Sequence, residues 1–116
     1  MRILQMDWIM SPQGRWPIIA TSISGIDPAV WTAFRAKAAA WDMTNREAIE
    51  EAIRDLSLAH SAGTNLDWPH TTGGKAQSVE MHDSIHQELK ALCKITRLRQ
   101  NVVLLASIRR WLQKRE

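Results

Sequence analysis

His82 and His86 stand four residues apart, a spacing that puts two imidazoles on one face of a helix, with Asp83 and Glu88 close by. Such a set has the donor types to hold a divalent metal. The helical zinc-hydrolase pattern, however, needs a glutamate directly after the first histidine, and here an aspartate follows without the rest of the motif. A surface pair is the expected reading. Ser57 and Ser61 flank His60 only along the chain, and sequence neighbours do not make a nucleophile–base relay. The single cysteine, Cys93, excludes an internal disulfide and a cysteine-based zinc site, and it fits a reducing compartment. It falls on an apolar stripe, so packing is its expected role. With no glycine-rich phosphate loop either, the expectation is a protein without catalysis, cofactor or metal.

The bulk properties narrow the choice further. At 116 residues, the chain holds one small core or two fused half-units, and 45% apolar with 23% charged residues is the balance of a globular protein. A formal charge of +3 permits a nucleic-acid partner. Apolar runs fall short of a membrane span, and Met1 to Met10 lacks the charged start and apolar core of a secretory signal, so a cytoplasmic protein is expected. Six tryptophans (Trp8, Trp16, Trp31, Trp41, Trp68 and Trp111) are scattered, which points to core or interface anchors rather than a stacking stripe.

The elements follow from periodicity. Residues 1–17 read as an arm or short strand. The β-branched run WPIIATSIS predicts a strand from Ile18 to Ser24, stopped at Gly25. Asp27-Pro28 opens a helix with Val30, Phe34, Ala38 and Trp41 on one stripe, ending near Asp42. Thr44 with Glu47 three residues later has capping-box spacing and starts a second helix that buries Ala48, Ile49, Ala52, Ile53 and Leu56. Residues 61–74, rich in Ser, Thr and Gly, read as a linker. AQSVEM then predicts another strand, DSIHQELKALCKIT a helix, and QNVVLLASIRRWLQKR a last helix.

This order repeats. A shift of 55 positions lays Ile26 on Met81, Val30 on Ile85, Phe34 on Leu89, Ala38 on Cys93, Ile49 on Leu104, Ile53 on Ile108 and Leu56 on Trp111. One strand–helix–helix unit lacks both a ladder partner and enough core. Two units, 18–60 and 75–116, solve both problems by pairing their strands and interleaving their helices in one domain. The predicted fold is therefore α+β and mainly helical, a two-stranded antiparallel ribbon on four helices.

The stretch ISGIDPAVWTAFRAKAAAWDMTNREAIEEAI, echoed more faintly from Lys75 to Lys114, resembles the ribbon-helix-helix family of small DNA-binding repressors, antitoxins and plasmid accessory proteins. The family usually assembles this fold from two chains, so two halves in one chain resemble a fused pseudo-dimer, as in some conjugation accessory proteins. The resemblance implies that outward strand residues read bases in the major groove of duplex DNA and that the second helix of each half meets a phosphate. Val79 and Met81 inward leave Ser78 and Glu80, with Ala76, facing out. If Gly25 forms a bulge or tight turn, Ile23 and Ile26 both stay inward, and Ser22 and Ser24, with Ala20, face out. Expected phosphate contacts are Thr44, Asn45 and Arg46 at one helix start, Arg99, Gln100 and Asn101 at the other, and Lys75 before the second strand. The ribbon has no arginine or lysine to read bases, a departure that implies modest direct readout, shape readout, or a ribbon that has partly lost the task.

Charge divides unevenly between the halves. Thr21 to Ala59 carries four basic and six acidic residues, and Lys75 to Glu116 nine and four. The second half is expected to supply the general attraction to DNA, and Asp42, Glu47, Glu50, Glu51 and Asp55 to form solvated faces or a protein-facing patch. The leading expectation is a DNA-binding repressor or plasmid accessory factor that assembles further on DNA. The alternative is a protein-interaction module, such as an antitoxin or adaptor, using the arm or the acidic half.

Overall fold

A computed structural model describes residues 17–70 and 75–114. Two strand–helix–helix units follow one another: β1 (Ile18–Ser24), α1 (Pro28–Ala40), α2 (Asn45–Ser61), then β2 (Ala76–His82), α3 (Asp83–Thr96), α4 (Gln100–Lys114). β1 and β2 form one antiparallel two-stranded sheet, with Ile18 opposite His82, Ser22 opposite Ser78, and Ser24 opposite Ala76. Four helices lie beneath it, as the periodicity predicts. The expected arm falls outside the described residues except for Pro17, whose carbonyl accepts from the Asp83 N–H at 2.8 Å.

Local chemistry sets the helix starts. Asp27 caps α1 by accepting from the Ala29 N–H at 2.8 Å, with Pro28 in the first turn. Thr44 and Glu47 form the expected capping box: the Thr44 hydroxyl accepts from the Glu47 N–H at 3.1 Å, and Glu47 Oε1 accepts from the Thr44 N–H at 2.8 Å.

The ends of α1 and α3 repeat in their backbone geometry. Asp42 and Arg97, 55 positions apart, both take left-handed backbone, at φ 58° and 60°. After them, Met43 N–H donates to Ala38 C=O at 2.9 Å and Leu98 N–H to Cys93 C=O at 3.3 Å. Donors and acceptors again correspond under the same shift. One backbone turn, used twice without glycine, is a second sign of repetition beside the apolar stripe.

The units differ where each strand meets its first helix. Ile23 and Ile26 are both buried, at 0% and 6% exposure, although they stand three positions apart; their counterparts Val79 and Met81 are two apart. Gly25 takes up the extra residue at φ 77°, a conformation that disfavours a Cβ. The tight turn thus keeps β1 in the register that buries Ile23.

Both halves contribute to one core. Of the fourteen residues in the repeat alignment, twelve are buried, and Val30 and Cys93 are half-buried. Trp111 meets Phe34 edge-on at 5.1 Å, and Phe34 stacks on Trp31 at 5.7 Å. Trp68 is half-buried against the core with Leu66, so the segment after Gly63 packs on the body instead of only bridging it. Trp41 departs from the anchor expectation, with 52% of its surface exposed. Trp8 and Trp16 lie outside the described residues.

The acidic residues of α2 are largely committed to the fold and are not plain solvated faces. Glu50 Oε2 accepts from the His82 N–H at 2.6 Å and lies 2.7 Å from His82 Nδ1. Glu51 accepts from the Trp111 indole N–H at 2.6 Å. Asp55 takes Arg110 at 3.1 Å and Lys114 at 2.7 Å. Lys114, the last residue of α4, is therefore held by an ion pair. Asp55 and Arg110 are themselves repeat-equivalent positions, so this pair joins corresponding points of α2 and α4.

Candidate nucleic-acid interface

Strand alternation divides the ribbon into two faces. Ile23, Val79 and Met81 enter the core, with Thr21 and Gln77 half-buried on the same side. Ala20, Ser22, Ala76, Ser78 and Glu80 are exposed on the other, and Ser24 is half-buried. Ser22 meets Ser78 at mid-ribbon, Ala20 lies opposite Glu80, and Ser24 opposite Ala76. The four expected base-facing residues thus share one surface, whose width suits a major groove.

The amino ends of α2 and α4 flank this surface, and they differ. Near α2, an open groove of about 290 Å³ brings Asn45 and Arg46 together with Ser78 and Glu80, over Trp31. Arg46 Nε is shielded from solvent and has no hydrogen-bond partner among the described residues. Thr44 is less available than expected, because its hydroxyl and N–H both serve the capping box. The Glu47 carboxyl is held below its ordinary range, first by the Thr44 backbone N–H and then by the Thr44 hydroxyl. A negative charge of the protein's own therefore already occupies the start of α2.

The start of α4 has no acidic residue in its first turn. Arg99 is exposed, and its carbonyl accepts from the Val102 and Val103 N–H groups at 3.0 and 3.2 Å. Gln100 donates to the Thr21 hydroxyl at 2.8 Å, and Asn101 Oδ1 accepts from the Ser24 N–H at 3.2 Å. Expected as phosphate ligands, these two side chains act as struts between α4 and β1. Lys75 is exposed just before β2, at the Ser24 end of the ribbon.

Among the described residues, no cluster of three His, Cys, Asp or Glu side chains could hold a metal ion, and His82 faces Glu50. Burial raises the Cys93 thiol pKa above its ordinary value, the opposite of activation. The strut from Gln100, the bond from Glu50 to His82 and the groove joining Arg46 to Glu80 were not foreseen, because each links one half of the chain to the other.

Two strand–helix–helix units with a shared antiparallel ribbon over four helices define a ribbon-type architecture, consistent with a tandem ribbon-helix-helix-like arrangement and compatible with nucleic-acid binding. Comparison with models of known families, with curated proteins and with solved structures found no match for this chain. Among the described residues, no helix is long and apolar enough to cross a membrane.

Proposed function

We propose that this chain is a tandem ribbon-helix-helix-type protein that binds duplex DNA by placing its β-ribbon in the major groove. It acts in the cytoplasm as a transcriptional repressor or as a plasmid or conjugation accessory factor. The observation that carries this reading is the exposed outer face of the ribbon, flanked at its two ends by the starts of α2 and α4. Ser22, Ser24, Ser78 and Glu80 face the bases. Arg46, Asn45 and Thr44 approach the phosphates at one flank; Arg99, Gln100, Asn101 and Lys75 do so at the other. Arg46, with its Nε unsatisfied, and the exposed Arg99 carry most of that contact, because Thr44, Gln100 and Asn101 also hold structural bonds. One ribbon spans few base pairs, so several copies assemble on neighbouring sites.

The protein-partner reading, an antitoxin or adaptor, draws on Leu58 and Ile95, apolar side chains 71% and 66% exposed. The acidic patch that would have favoured it is mostly engaged within the fold. Incubation with a pool of random duplexes, followed by sequencing of the retained fraction, separates the two. An enriched motif supports DNA recognition; a retained fraction indistinguishable from the input pool contradicts it.

A further inference from the structure

Over its central positions, Ala20 to Ser24 and Ala76 to Glu80, the outer face of the ribbon is two-fold symmetric except at one side chain. Ser22 and Ser78 face each other on the axis. Rotation about that point exchanges Ala20 with Ala76, two identical residues, and Ser24 with Glu80, two different ones. Each end of the face thus presents an alanine paired with either a serine or a carboxylate.

A symmetric reading surface selects a palindrome, because each half meets the same bases. A single break in that symmetry breaks the palindrome at one pair of positions. The chemistry of the break is definite. An ionised carboxylate only accepts hydrogen bonds, and in the major groove it needs an amino donor, best supplied by cytosine N4. Facing guanine O6 and N7 or thymine O4, it would meet acceptors alone. A serine hydroxyl both donates and accepts, so Ser24 tolerates several bases at the equivalent place.

The flanks run the same way. The Glu80 end lies beside the start of α2, where Glu47 already supplies a negative charge. The Ser24 end adjoins Lys75 and is tied through Asn101 to the start of α4, which has no acid in its first turn.

Resting on the DNA-binding reading above, we propose that Glu80 makes the target site directional. The protein recognises an imperfect palindrome in which the half facing Glu80 demands cytosine and the half facing Ser24 does not. The Ser24 end provides attraction and the Glu80 end discrimination, so each molecule sits on its site in one orientation.

The test selects sites from random duplexes with the wild-type protein, Glu80→Ser and Glu80→Gln. Residue 80 is exposed, and thermal melting checks that the variants keep the fold. The wild type should enrich a motif whose halves mirror each other except at one position, with cytosine preferred about tenfold there. Glu80→Ser should restore the palindrome by removing that preference. Glu80→Gln should replace cytosine with adenine, whose N6 and N7 match a carboxamide. A palindromic wild-type motif, or an unchanged asymmetric motif in Glu80→Ser, overturns the directional reading and leaves DNA binding standing. No motif with any of the three proteins overturns both.

Discussion

At the start of α2, the Glu47 carboxylate and the Thr44 hydroxyl satisfy each other's backbone N–H groups. The same charge that favours the helix weakens this end as an anion site, so Arg46 must supply the attraction. Thr44→Ala should destabilise the protein by about 1 kcal/mol in urea unfolding. The pH dependence follows from the sign of the shift. Because the folded-state pKa of Glu47 lies below its ordinary 4.5, the cap contributes fully above that value and is lost as pH falls through the depressed one. Thr44→Ala should shrink this acid-range loss without abolishing it, since the backbone N–H, the larger cause, remains. An identical acid limb in both proteins would contradict the assignment.

At the scale of elements, Gly25 decides which face of β1 is buried. Without its extra residue, the strand would shift by one and move Ile23 outward and Ser22 into the core. Gly25→Ala should cost about 1–2 kcal/mol through its positive φ, read as a lower urea midpoint. An unchanged midpoint would show that the turn is not required. Strands, helices and caps were legible in the sequence because period-two and helical spacing and the Thr44/Glu47 pair are local signals. The extra residue at Gly25 was visible too, but the register of β1 stayed conditional on a turn there, and the positive φ of Gly25 supplies that turn. Contacts between halves were not: Gln100 with Thr21 and His82 with Glu50 span 79 and 32 positions, and no local pattern marks which polar residue meets which. For that reason, it went unforeseen that Gln100 and Asn101 also serve as struts, and acids expected in solvent proved to be partners of Trp111, Arg110 and His82.

For the whole molecule, the two units behave as halves of a dimer joined in one chain. Asp55 with Arg110 and Ser22 with Ser78 are contacts between equivalent positions, as in a two-fold interface. Covalent linkage changes the thermodynamics, because folding brings together no second molecule for this core. The melting temperature should therefore be independent of protein concentration; a rise with concentration would mean that the core is completed by another chain. The most direct test of DNA recognition is a titration against one duplex over a range of salt. A ribbon flanked by Arg46, Lys75 and Arg99 should lose affinity linearly in log salt, with a slope near −0.9 per phosphate neutralised, and Arg99→Ala should flatten it by about one unit. Binding that ignores salt, or no binding even at low salt, would contradict the assignment of this face to DNA.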